Sequence, residues 1–152
     1  MYRIAKIKLL IVKDGHIKSN TRNITGPYDI ANMIRPILSD ADREHCLVII
    51  LDGRNRVTAI NTVSIGTLTS SLVHPREVFK PAILSNAASV ILAHNHPSGD
   101  PKPSPEDLTL TKRLKEAGSL LGIPVLDHII IGYSFFSIES NFEYQFEDEE
   151  GA

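Results

Sequence analysis

Ala88-Ser89-Val90-Ile91-Leu92-Ala93-His94-Asn95-His96-Pro97-Ser98-Gly99-Asp100-Pro101-Lys102-Pro103-Ser104-Pro105-Glu106-Asp107 is the stretch whose reading decides the fold. Its apolar opening predicts a buried strand over 87–93. The loop that follows holds three prolines and one glycine, so it is stiff for its length. Ser104-Pro105-Glu106-Asp107 has the form of a helix start: serine at the N-cap, proline at the first helical position, acids in the first turn. The same stretch carries chemistry. Residues i and i+2 of a strand share a face, so His94 and His96 project together if the strand runs that far. Strand end and helix start can converge across the loop, which brings Asp107 to the two imidazoles. The spacing H-x-H-x7-S-x2-D thus offers three protein ligands. Three ligands plus water is the catalytic zinc arrangement, whereas structural sites are usually closed by four. Ser104 and Asp107 are equally well explained as capping residues, and capping does not exclude ligation.

Working outward, 152 residues are enough for one domain with a real core. The longest apolar runs, Leu47 to Leu51 and Val90 to Ala93, fall far short of the ~20 residues that cross a bilayer. The start, Met1-Tyr2-Arg3-Ile4-Ala5-Lys6, lacks the unbroken apolar core of a signal peptide. A single cysteine, Cys46, excludes an internal disulfide and a thiolate metal site. These features predict a cytoplasmic protein with no membrane segment, and Cys46 reads as an inert strand residue. From Glu139 onward there are six acids and no Lys or Arg, leaving sixteen basic against twelve acidic residues in 1–138. The acidic tail reads as solubilising. The slightly basic body has no basic cluster and lends only weak support to nucleic-acid binding.

The rest of the chain alternates strand and helix. Residues 3–12 read as a strand, and Asp14-Gly15 as a hairpin turn into a return strand at His16-Ile17-Lys18. Ile30, Met33, Ile34 and Ile37 give a helix opened by Pro27; Pro36 should end it near Arg35. Leu47 to Leu51 is a buried strand, turned by Asp52-Gly53 into a partner over 57–64. The Thr/Ser-rich residues 66–72 read as a loop or short edge segment. Pro75 opens a second helix over 75–86. Leu110, Leu114, Ala117 and Leu121 mark the buried stripe of a third helix, ended by Gly122. Val125 to Ile131 and Ser134 to Ile138 are further strands, after which Phe142, Tyr144 and Phe146 order the tail briefly. The expected order, ββ-α-ββ-α-β-α-ββ, is an α/β fold with a mixed β-sheet flanked by helices. Three parts follow: an N-terminal β-hairpin extension (1–26), the domain (27–138) and an acidic C-terminal tail (139–152).

Arg43-Glu44-His45, Leu51-Asp52, His74 to Val78, Leu92 to Asp100, Pro103 to Asp107 and Asp127 to Gly132 together carry a likeness to a known group. The chain resembles the JAMM/MPN+ metalloproteases, and more closely the RadC-like branch of bacterial JAB-domain proteins. The resemblance implies a cytidine-deaminase-like (JAB/MPN) fold, with Zn2+ held by His94, His96 and Asp107. It also implies an upstream glutamate as general base. Glu44, at the start of the strand after the first helix, is favoured; Glu77 is the alternative. Ser104 would donate to the developing oxyanion of a peptide or isopeptide bond attacked by water. Asp100, Asp127 and His128 are further candidates, the last two as supports behind the ligands. Many RadC relatives carry a helix-hairpin-helix region ahead of the domain, whereas the first 26 residues here read as a strand hairpin. Two other readings stay open: a DNA-repair-associated, DNA-interacting protein, and a catalytically silent zinc-bearing scaffold.

Overall fold

The structure, a computed structural model, describes residues 1–39, 41–66 and 73–147. In chain order the elements are α1 (Pro27–Leu38), β1 (His45–Leu51), β2 (Val57–Ile65), α2 (Pro75–Leu84), β3 (Ser89–Asn95), α3 (Pro105–Leu121), β4 (Val125–Ile131), β5 (Phe135–Ser137) and β6 (Phe142–Tyr144). One six-stranded sheet has the order β2-β1-β3-β4-β5-β6. Only β3 and β4 pair in parallel; the other neighbours are antiparallel. The parallel pair needs a crossover, and α3 supplies it. The expected α/β architecture with a mixed sheet flanked by helices is the one observed.

Both faces of the central strands are covered, which is why β1 and β3 read as unbroken apolar runs rather than alternating ones. On one face Ile30, Ile34 and Leu38 of α1 pack on Leu47, Ile49, Leu51, Ala93, Ile129 and Phe135. On the other, Val78 and Phe79 of α2 and Leu110 and Leu114 of α3 pack on Cys46, Val48, Ile50, Val90 and Leu92. Each fully buried Val, Leu, Ile or Phe among them contributes ~1.5–3 kcal/mol relative to an exposed one. The period of two along β3 continues Val90 and Leu92 into His94 on the α2/α3 face.

Two expectations need correction. Helix α1 does not stop before Pro36 but runs to Leu38. The bond Pro36 forfeits is to the carbonyl of Asn32, one turn back; both residues are exposed, so water can serve that carbonyl, while Leu38 is buried and pins the last turn. The N-terminal hairpin does not form. Residues 1–18 lie in no helix or strand and are exposed throughout. A lone hairpin is marginal in water unless it packs on something, and Ile4, Ile7, Leu9, Leu10, Ile11 and Val12 bury against nothing among the described residues. The chain first joins the sheet through Asn23, bridged to Arg56, with Arg22 O accepting from Val57 N at 2.8 Å.

At the other end the sheet runs past residue 138, because β6 pairs with β5. Tyr144 stacks on Phe135 at 5.2 Å, and the Arg35 guanidinium lies 3.9 Å over the Phe146 ring. Of the expected 66–72 loop, residues 67–72 fall outside the described residues, as do the last acids, Asp148 to Glu150.

Candidate metal centre

His94 enters the site from the end of β3, and the strand is longer than expected because Asn95 still pairs with Ile131 of β4. His96 follows at once, its N–H bonded to Ile131 O at 2.8 Å. Both imidazoles therefore leave a backbone held by a central strand. Asp107 comes from the first turn of α3, which starts as a full capping box: Ser104 Oγ accepts from Asp107 N at 3.1 Å, and Ser104 N donates to Asp107 Oδ2 at 2.9 Å. Capping and proximity to the histidines are thus properties of one and the same carboxylate.

His94, His96 and Asp107 each present one ligand atom within 4.8 Å of the others. His94 Nε2 stands 2.9 Å from His96 Nε2 and 3.3 Å from Asp107 Oδ1, and His96 Nε2 stands 3.1 Å from Asp107 Oδ2. Donors ~2.0–2.1 Å from a tetrahedral zinc ion lie ~3.3–3.4 Å apart, so the spacing suits such an ion.

The proton pattern suits it too. A carbonyl only accepts, so His96 Nδ1–H donates to Asp100 O at 2.8 Å and Nε2 is left for the site. Behind His94 runs a longer chain. Thr111 Oγ1–H donates to Asp107 O at 2.7 Å, so that oxygen can only accept from His128 Nδ1–H at 2.6 Å. His128 Nε2 then accepts from His94 Nδ1–H at 2.7 Å. When the His94 ring carries a single proton, its lone pair sits on Nε2, toward His96 and Asp107.

The electrostatics follow from burial and these contacts. Burial pushes the Asp107 carboxyl up, but hydrogen bonds to His94 and His96, the His94 charge and the Ser104 N–H outweigh it, and the net pKa lies well below the usual carboxylate range. Burial pulls His96 down, but its hydrogen bonds to Asp107 and Asp100 and the charges of Asp107 and Glu44 raise it overall. His128, fully buried, is held well below the ordinary histidine value, first by desolvation and then by the neighbouring His94. Burial, with the Asp107 charge, lifts the Cys46 thiol to about 12, which makes it inert despite its place opposite His94 in the β1/β3 register.

Glu44 precedes β1 and is half-buried. Glu44 lies two residues before Cys46, the register partner of His94, and its charge acts on His96. Glu77 lies in the first turn of α2, 3.3 Å from Lys80 and 3.9 Å from Arg76. Ser104 is partly buried beside Asp107, and its hydroxyl proton has no acceptor among the described residues. Asp100 takes part through its backbone oxygen. Asp127 stays apart, accepting from Ser137 Oγ at 2.6 Å and Glu139 N at 3.0 Å, where it ties β4 to the turn after β5. His74 caps α2 by accepting from Arg76 N at 3.1 Å. Sequence reasoning missed Thr111 and Asn95. Thr111 stands four residues after Asp107, on the same helical face; that spacing was the available signal.

A six-stranded mixed sheet flanked by helices, with a strand-borne His-x-His facing an aspartate at the next helix start, is the arrangement of a JAB/MPN domain. The chain belongs to the RadC-like JAB domain family, whose family model matches residues 24–143. It is 60% identical over 111 residues to a UPF0758 protein of Desulforamulus reducens, covering 73% of this chain and 49% of that one. It is 52% identical over 118 residues to a UPF0758 protein of Rubrobacter xylanophilus, covering 78% and 52%. The chain thus spans about half the length of these relatives. No helix among the described residues is long and apolar enough to cross a membrane.

Proposed function

We propose that this domain is a zinc-dependent hydrolase of JAMM type that cleaves a peptide or isopeptide bond in a protein substrate. The observation that carries the reading is the convergence of His94 Nε2, His96 Nε2 and an Asp107 carboxylate oxygen, with both histidine Nδ1 atoms already engaged elsewhere. A bound divalent ion would polarise the scissile carbonyl and make a water molecule acidic enough to ionise near neutral pH. Glu44, whose charge acts on His96, would take the proton of the attacking water and return it to the leaving amine. Ser104 Oγ–H would donate to the oxygen that gains charge in the transition state, a contact of the kind worth ~3–4 kcal/mol at best. Asp107 is held ionised by its neighbours, so its place in the site does not depend on pH near neutrality.

The test uses the full chain loaded with zinc and a proteome-derived peptide mixture together with isopeptide-linked peptides, read by mass spectrometry for new termini. The expected result is about one zinc per chain, cleavage that is lost together with the metal in His94→Ala/His96→Ala, and cleavage lost with the metal retained in Glu44→Gln. Metal content unchanged by the double substitution would sink the site. A fully loaded protein that cuts no probe would favour the zinc-bearing scaffold instead.

A further inference from the structure

The residue between the two histidines has a task of its own. Asn95 is 3% exposed, and its side chain is fully used. Oδ1 accepts from His45 N at 2.7 Å, and Nδ2 donates to Arg43 O at 2.9 Å. These two backbone groups flank Glu44 on either side. The carbonyl of Glu44 itself accepts from Gly66 N at 2.8 Å, at the end of β2. The β1/β3 ladder ends at the pair Cys46–His94. Beyond it the Asn95 amide, a donor and an acceptor at once, replaces the missing backbone partner and holds the chain in line for one more residue pair. An aliphatic residue would fill the space and hold neither group; a carboxylate would serve His45 N and repel Arg43 O.

We infer that Asn95 is a positioning residue that clamps the backbone on both sides of Glu44 and so sets where the Glu44 carboxylate stands relative to His96. The geometry unites two tasks in one tripeptide: His94 and His96 hold the ion while the residue between them places the general base. A bare structural role, the satisfaction of two backbone groups at a strand end, would account for the bonds but not for their bracketing of Glu44, the carboxylate just before β1 whose charge acts on His96. The inference rests on the reading of Glu44 as the base, and its test keeps the two apart.

Asn95→Ala and Asn95→Asp are compared with the wild-type full chain, each first checked for cooperative unfolding and zinc content. Zinc stoichiometry and affinity should match wild type in both, because neither bond involves a ligand atom. In Asn95→Ala the His45 amide should exchange at least tenfold faster while amides in the centre of β3 keep their protection, and the crystal structure of the zinc-loaded variant should show Glu44 displaced. On any peptide the wild type cleaves, Asn95→Ala should lower kcat at least tenfold with KM unchanged. The double variant Asn95→Ala/Glu44→Gln should be no slower than Glu44→Gln alone, because a clamp without a base has nothing left to place. Asn95→Asp should fall between the two. A Glu44 that stays in place in Asn95→Ala, with His45 still protected, overturns the inference whatever the activity. So does a multiplicative loss in the double variant, or an Asn95→Asp protein that behaves as wild type. Absence of cleavage by the wild type would overturn the hydrolase reading and leave the exchange and structural arms to decide the clamp.

Discussion

His128 shows what a single residue contributes to this site. It is buried and neutral, it accepts from the ring of His94, and it rests on Thr111. A base whose folded pKa lies below its unfolded value of ~6.5 stabilises the fold above that pH and loses the contribution as pH falls through it. His96 has the opposite sign: its raised pKa stabilises fully below ~6.5 and fades as pH rises. Asp107, strongly lowered, loses its contribution progressively as pH falls below ~4, mostly outside this window. In the metal-free protein, therefore, the drop in denaturant-unfolding stability from pH 7 to pH 5 should be smaller in His128→Gln than in wild type. An equal or steeper drop in the variant would mean that His128 is not the buried neutral group described. The sequence marks His128 only as a candidate support, at the border of a buried strand. It meets His94 only because β4 pairs with β3, and Leu92 is its register partner.

At the level of elements, the loop between β3 and α3 decides how His96 is held. Asp100 O orients the imidazole, and the loop is fastened to the β4–β5 turn by Tyr133 N donating to Gly99 O at 2.8 Å. That contact needs two glycines. Gly99 has φ 91, and a Cβ on Gly132 would lie 2.1 Å from the carbonyl oxygen of Gly99, a backbone atom with little room to yield. Gly132→Ala should destabilise the protein by ~1–3 kcal/mol, as overpacked sites do, and should weaken zinc binding because the loop that orients His96 must shift. Chemical denaturation and a chelator competition check both; a cost under ~0.5 kcal/mol would show that the close approach is not tight. Helix ends were legible because their chemistry is local: Ser104 caps α3 and Gly122, at φ 71, ends it. Pro36 was misread because its cost depends on which way the orphaned Asn32 carbonyl faces, and that is settled by packing.

For the whole molecule, the sheet order matters more than any one strand. Placing β1 and β4 on either side of β3 sets His128 against His94 from one side and, from the other, puts Glu44, just before β1, where its charge acts on His96. The N-terminal 18 residues add nothing to that arrangement, since none of them is buried. Deleting residues 2–18 should leave zinc affinity unchanged and Tm within ~2 °C, below the ~2–4 °C that 1 kcal/mol shifts a chain of this size. A fall beyond ~5 °C would show that the segment packs on the body after all. The exposed apolar run Leu9 to Val12 explains the misreading there. Alternation and a turn signal describe a strand well, but a strand needs a neighbour.

By itself the sequence determined the features with a short range. The helix caps, the buried strands and the mixed α/β order follow from periodicity and turn chemistry within a few residues. The triad His94, His96 and Asp107 is legible for the same reason: a stiff loop between a strand end and a helix cap leaves those side chains few places to go. Tertiary structure decided which of the further candidates stand behind them. His128 and Thr111 reach the site through strand pairing and helix packing, and the pairing of β1 with β3 brings the charge of Glu44 to bear on His96. The amide of Asn95 finds the two backbone groups around Glu44 because β1 and β3 part company there. Hydrogen bonds between residues far apart in sequence exist only once the sheet has chosen its order, and here that order completes the site.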